Sequence, residues 1–230
     1  MRKRRDNEVR LVCFDWGGVI VEICRSWHEA FAIAGLDASR FTLDESTQRR
    51  VAPLIRAVQT GELDEHAFCA ELAPQLGAST EALLAAHRCM LKREYPGVAA
   101  VVETLHAQAG LTTGLLSNTS ALHFAEQEPG SNGEPPRFPT AGKLHVRVAS
   151  HRVGCVKPER EIYAAFEEAA GVRGSEILFF DDLEANVTAA QSLGWRAERI
   201  DPHGDPATQL RHHLAQHHVP PFSSQRLGEA

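Results

Sequence analysis

From residue 113 onward the sequence switches repeatedly between two periodicities, and few folds tolerate that pattern. Thr113 to Leu116 and Leu144 to Ala149 read as strands, and Ile162 to Ala170 reads as a helix closed by Gly171. Ile177 to Phe180 follows as a strand, Ala185 to Leu193 as a helix closed by Gly194, and Arg196 to Ile200 as a final strand. Strands that alternate with helices need crossover connections, which are nearly always right-handed and lay helices on both faces of a parallel sheet. The expected fold class is therefore α/β with a doubly wound parallel sheet.

The first part of the chain adds one strand and one interruption. Arg10 to Phe14 is a short apolar run that stops at Asp15-Trp16-Gly17-Gly18, as a buried strand feeding a tight turn does. From Ile23 to about Tyr95 the apolar residues recur at three and four, as in Trp27, Ala30, Phe31 and Ala34, or Phe68, Leu72 and Leu76, which marks a helical insert. Pro96-Gly97 breaks it. Val98, Val101, Val102 and Leu105 then form one helix stripe, with Gly110 beyond it. Residues 126 to 143 carry Pro129, Gly130, Gly133, Pro135, Pro136 and Pro139 and read as a long surface loop.

Composition narrows the partners. No apolar run approaches the roughly 18 residues of a membrane span, and the net charge of −6 speaks against a surface for nucleic acid while leaving a local basic pocket open. The basic start, Met1 to Arg5, is followed at once by Asp6, Asn7 and Glu8 and by no apolar signal segment, so it reads as a disordered cytosolic start. The 5 cysteines include no CxxC pair, a pattern of reduced thiols and hence a cytoplasmic location, with Cys155 read as a packing residue. His203, His212, His213, His217 and His218 crowd the tail without a zinc-binding spacing and read as a solvated helix end.

In an open parallel sheet, ligands bind outside the carboxyl ends of the strands where the winding direction reverses. Four polar groups stand there: Asp15, Ser117-Asn118, Lys157 and Asp181-Asp182. They offer a nucleophile, hydroxyl and amide donors, a fixed cation and a carboxylate pair, an inventory suited to phosphoryl transfer. Each residue also has a plainer use. Asp15 caps a turn, Ser117 and Asn118 are turn residues, Pro158 places Lys157 at a helix start, and Asp182 is an N-cap. Adjacent carboxylates at 181 and 182 favour a cation, since they otherwise repel.

These residues sit in segments that resemble a known family. Phe14-Asp15-Trp16-Gly17-Gly18-Val19-Ile20 is similar to motif one of the haloacid dehalogenase-like hydrolases, and Leu116-Ser117-Asn118-Thr119 to motif two. Val156-Lys157-Pro158-Glu159 resembles motif three, and Phe179-Phe180-Asp181-Asp182 with Asn186 resembles motif four. The resemblance covers essentially the whole chain and looks closest to small sugar-phosphate phosphatases and the amino-terminal phosphatase domain of soluble epoxide hydrolases. It implies a Rossmann-like core over 9–21 and 96–220, a helical cap over 22–95 and flexible tails at 1–8 and 221–230. It also implies that Asp15 is the nucleophile, that Ser117 and Asn118 hold the phosphoryl group, and that Lys157 stabilises its charge. Magnesium would be bound by Asp15, the Gly17 carbonyl and Asp182, with Asp181 as a direct ligand or a supporting group.

One position departs from the family. Most of its phosphatases carry an acid/base aspartate two residues after the nucleophile, where this chain has Gly17. Proton transfer of that kind is worth about two to four powers of ten in rate. Glu22, Glu184 or a water on the metal are the candidate substitutes. The leading expectation is a magnesium-dependent phosphatase of a small phosphomonoester, a sugar phosphate among the candidates. A silent binder of a phosphorylated metabolite or a protein partner is the alternative. A 2-haloacid dehalogenase ranks below both, because that chemistry has no use for Asp181-Asp182. Substrate choice is expected to lie with the insert: Glu22 and Arg25 on its hinge side, and the Thr60-Gly61-Glu62-Leu63-Asp64 turn, in which Asp64 reads as an N-cap.

Overall fold

A computed structural model describes residues 8–40 and 45–222, so most of both expected tails lies outside the described residues. The chain opens with β1 (Leu11–Phe14) and β2 (Val21–Ile23), then α1 (Trp27–Ile33), α2 (Glu45–Thr60), α3 (Glu65–Leu76) and α4 (Thr80–Arg88). β3 (Leu91–Glu94), α5 (Val98–His106) and β4 (Thr112–Ser117) lead into two short helices, α6 (Ala121–Ala125) and α7 (Pro139–Gly142). The remainder runs β5 (Val146–Ala149), α8 (Ser150–Val153), α9 (Arg160–Ala170), β6 (Ile177–Asp181), α10 (Glu184–Ser192), β7 (Arg196–Arg199) and α11 (Pro206–Gln216).

Five strands form one parallel sheet in the order β5-β4-β1-β6-β7. The chain winds outward from β1 through β4 to β5, then crosses back to build β6 and β7 on the other side. The reversal leaves a crevice at the carboxyl end of β1, and the register is level there: Phe14 pairs with Leu115 and with Phe180. This is the α/β, doubly wound architecture expected from the alternation.

The three inner strands, β4, β1 and β6, are buried on both faces, and the two-residue period sorts their side chains. Val12, Phe14, Leu115 and Phe180 share one core with the α5 stripe and with Leu210 and Leu214 of α11. Leu11, Cys13, Leu116 and Phe179 share the other with Ile162, Tyr163 and Phe166 of α9 and Val187 of α10. Truncating a fully buried ring such as Phe179 to alanine would cost about 3–5 kcal/mol, enough to threaten a fold whose net stability is of that order.

Helices α1 to α4 bury a separate cluster around Phe31, Phe68, Leu72 and Leu83. Ser26, Asp64 and Ser79 cap α1, α3 and α4 by accepting from the backbone N–H of Glu29, Ala67 and Ala82, each worth about 1 kcal/mol. The expectation that residues from Ile23 to Tyr95 are helical throughout is corrected at both ends. β2 and β3 pair antiparallel, Val21 with Glu94 and Glu22 with Arg93. Their alternation is hidden by charge: Glu22, Lys92, Arg93 and Glu94 fill most of the two strands, and Glu22 reaches Lys92 at 2.6 Å and Arg93 at 3.0 Å.

The supposed surface loop over 126–143 is also corrected. Its end folds into α7 and buries Phe138, which packs edge-on against Trp16 at 5.7 Å, while Thr140 donates through N and Oγ1 to Glu94. The histidine-rich end is not simply solvated either. Leu210 and Leu214 seat α11 on the sheet, and His217 Nε2 lies 2.7 Å from Glu198 Oε1 of β7. Phe222, assigned to a tail, packs into the same core.

Candidate active site

β1 ends by presenting Asp15. Its backbone N–H donates to Phe180 O at 2.8 Å, and its Oδ1 accepts from Trp16 N at 2.6 Å, so the carboxylate is fixed where β1 and β6 finish together. The chain then turns tightly, with Gly18 N donating to Val21 O and Val21 N to Trp16 O. Gly18 sits at φ +82°, and a Cβ there would lie 2.5 Å from the Asp182 carboxylate. Only glycine fits both constraints.

Lys157 arrives from the segment before α9 and is buried between two carboxylates, with Nζ 2.9 Å from Asp15 Oδ1 and 2.7 Å from Asp181 Oδ2. Asn118 holds its backbone from both sides, donating through Nδ2 to Lys157 O at 2.9 Å and accepting Lys157 N at 2.7 Å. The amide expected to grip a phosphoryl group is thus committed to the lysine. Ser117 is buried at the end of β4, and Thr119 is tied to Ser150 at the end of β5 through N–H to Oγ at 2.9 Å.

Asp181 is saturated. Oδ1 accepts from Leu183 N and Asn186 Nδ2, and Oδ2 accepts from Lys157 Nζ and Asn186 Nδ2, all within 3.1 Å. Asp182 accepts instead from Arg25 Nη1 at 2.7 Å across the crevice. That contact joins residues 157 apart in sequence, and no local signal announces it. Asp182 does not cap α10, whose N-cap is Leu183, and Pro158 stands outside α9, whose N-cap is Glu159.

The electrostatics of this cluster suit a bound cation. Burial drives the Asp15 carboxyl up, Lys157 pulls it back, and Asp181 and Asp182 add to the rise. Lys157 is itself held protonated: burial works against its charge, but Asp15 and Asp181 more than offset that. Three buried carboxylates therefore share one buried lysine and the half-exposed Arg25. Asp15, Asp181 and Asp182 can each present an oxygen so that all three lie within 4.8 Å of one another. A hard divalent cation with oxygen ligands fits that donor set.

Gly17 lies in the turn, bridged to Val21, and a side chain there would be crowded: a Cβ would meet Ile23 Cδ1 and Cγ2 at 3.2 Å, so the isoleucine must shift to admit one. Neither glutamate considered as a substitute stands in for it. Glu22 is paired with Lys92 and Arg93, which hold its carboxyl low, and Glu184 is exposed on α10. The 60–64 turn does reach the core. Gly61, at φ +78°, lies so close to His151 that a Cβ would fall 2.5 Å from its carbonyl oxygen, and Asp64 caps α3 as expected.

With this geometry in place, the likenesses to other proteins gain meaning. A family model described as haloacid dehalogenase-like hydrolase matches residues 9–194. A phosphatase of Mycobacterium tuberculosis is 29% identical over 154 residues, which span 64% of this chain and 65% of that relative, just under two thirds of its length. A haloacid dehalogenase family enzyme of Bacteroides thetaiotaomicron superposes with a TM-score of 0.70 at 21% identity, covering 88% of this chain and 98% of its own. The same enzyme has been crystallised with magnesium and inorganic phosphate, and that form covers 83% of this chain and 93% of its own, with TM-score 0.65 and 22% identity. A hydrolase of similar fold from Porphyromonas gingivalis gives 0.67 at 22% identity, covering 90% and 98% of the two chains.

Proposed function

This chain belongs to the haloacid dehalogenase-like hydrolases, and from that premise we propose that it is a magnesium-dependent phosphatase acting on a small phosphomonoester through an aspartyl-phosphate on Asp15. The observation that carries this reading is Lys157, buried and bonded at once to Asp15 and Asp181 at the ends of adjacent strands. Such a lysine fixes the attacking carboxylate in place and leaves its positive charge beside the point where phosphoryl oxygens gather.

In this reading Asp15 attacks phosphorus with Oδ2, which takes no hydrogen bond from the described residues, while Oδ1 stays bound to Trp16 N and Lys157. The P–O bond to the leaving group breaks, and water then hydrolyses the acyl phosphate. Ser117, at the end of β4, supplies a hydroxyl to the phosphoryl group. Asn118 acts mainly by holding Lys157. Asp15, Asp182 and the Gly17 carbonyl would hold magnesium, which offsets charge on the phosphoryl oxygens. Asp181, with both oxygens already engaged, supports the site from behind. Residues 22–95 serve as a cap over it, and the protein is read as cytoplasmic, consistent with five free cysteines.

The test is release of inorganic phosphate from p-nitrophenyl phosphate with and without magnesium, on wild type beside Asp15→Asn. Magnesium-dependent release that disappears in the variant is expected. The missing carboxylate at Gly17 favours one competing reading, a silent binder, which would bind magnesium and phosphate and release nothing.

A further inference from the structure

Next to Gly17, Ser117 and Asn118 a cavity of about 240 Å³ runs between the sheet end and helices α1 to α4. Its walls are mainly apolar, with Ile23, Trp27, Ile55, Val58, Phe68 and Leu91 among them, and among the described residues no Asp, Glu, Lys or Arg lines it. Sugars, polyols and charged metabolites would lose their hydrogen bonds to water there and recover few. An apolar cavity of about 150 Å³ accepts one benzene, so this one holds a ring with substituents.

Two residues of that lining carry buried polar atoms with no partner among the described residues. His87 is 7% exposed with both ring nitrogens unbonded, and Trp16 is 1% exposed with Nε1 unbonded. Burial pushes the His87 imidazole down to about 3, with His123 adding to the effect, so the ring is neutral and offers one donor and one acceptor. Trp27 and Phe68 flank it, with centroids at 6.1 and 5.4 Å. Buried polar groups left unbonded are rare, and each calls for a partner, a water or a ligand.

The chemistry at Gly17 points the same way for a separate reason. With no carboxylate at Gly17 and the Ile23 side chain packed close to it, the leaving oxygen departs without a proton from that position. A phenol ionises near pH 10, as tyrosine does, several powers of ten more readily than an alkanol. A phenolate can therefore leave unaided where an alkoxide cannot.

We propose that the leaving group is an uncharged phenol of one substituted ring, seated in this cavity with a ring substituent bonded to His87 or Trp16. This rests on the phosphatase reading for its chemistry: Asp15 attacks phosphorus, the aryl P–O bond breaks with its electron pair going to the phenolate, and water supplies the proton to the phenol and the oxygen to phosphate.

The experiment separates binding from turnover. Calorimetry in the presence of magnesium compares benzylphosphonate with 3,4-dihydroxybutylphosphonate, neither of which can be hydrolysed. Benzylphosphonate is expected to bind at least tenfold tighter; equal or reversed affinities overturn the aryl site. Benzylphosphonates with a 3- or 4-hydroxyl are expected to gain about fivefold in wild type at one ring position and to lose that gain in His87→Phe or Trp16→Phe. No gain at either position removes these polar atoms from the proposal. Across substituted phenyl phosphates, kcat/KM is expected to fall at least fivefold per unit of phenol pKa, and a flat series would contradict unaided departure. An aryl preference in binding with no turnover of any ester would sink the phosphatase reading and leave the aryl site standing.

Discussion

The crevice at the strand ends and the cavity under the inserted helices adjoin each other, yet they treat polarity in opposite ways. In the crevice every buried charge is bonded: Lys157 to two aspartates, Asp181 to four donor hydrogen bonds, Asp182 to Arg25. In the mainly apolar cavity lining, polar atoms of His87 and Trp16 have no partner among the described residues. A network already satisfied within the protein holds reacting groups in fixed positions. Groups left unsatisfied hold nothing until something arrives. On the proposed reading, the difference gives chemistry to the sheet and selection to the cavity under the insert.

Removing a charge from the crevice is the strongest way to challenge that division. Asp15→Asn keeps the size of the side chain and the expected loss in phosphate release is about four powers of ten or more, with far-ultraviolet circular dichroism unchanged. Lys157→Met strands two buried carboxylates, and urea unfolding is expected to show a loss of about 3–5 kcal/mol. Magnesium should recover part of that loss, and a variant as stable as wild type without metal would mean that the ion pairs are not formed. At the border between the regions, Gly17→Asp combined with Ile23→Ala restores a carboxylate and the room for it. Turnover of alkyl phosphates relative to aryl ones is expected to rise by about tenfold to a hundredfold.

In the cavity the sign should reverse. His87→Phe removes an unsatisfied polar group and is expected to stabilise the protein by about 1 kcal/mol at pH 7, measured by the same unfolding curves. Its effect should grow on acidification. The unfolded chain binds a proton on this imidazole near 6.5 while the folded one waits until about 3, so stability falls as pH drops through that window. From pH 6.5 to 5 the loss from this one group is about 2 kcal/mol, and the phenylalanine variant should not show it.

The same contrast explains what could be read from the sequence. The inner strands were legible because strands buried on both faces must be apolar, and Asp15, Ser117 and Asp181-Asp182 fall at their ends, while Lys157 comes only after α8 has followed β5. Helices α1 to α4 were legible as helices, since each buries a stripe. The contacts between them were not. Arg25 meeting Asp182, His87 stacking on His123 with centroids 4.3 Å apart, and Phe138 packing on Trp16 join distant positions by packing alone. β2 and β3 escaped because cross-strand ion pairs replace the apolar alternation that marks a half-buried strand. Asn118 shows a finer limit: an amide at a strand end reads as a ligand-binding group, while its bonds go to the backbone of Lys157.

The central claim is that Asp15 carries the phosphoryl group, and it can be tested on the covalent intermediate itself. Wild type would be mixed with p-nitrophenyl phosphate and magnesium, quenched within the first turnover and reduced with borohydride, which converts an aspartyl phosphate to homoserine. Peptide mass spectrometry should then find homoserine at position 15 and nowhere else. Reduction at Asp181 or Asp182, or phosphate release with Asp15 unmodified at every quench time, would contradict the account.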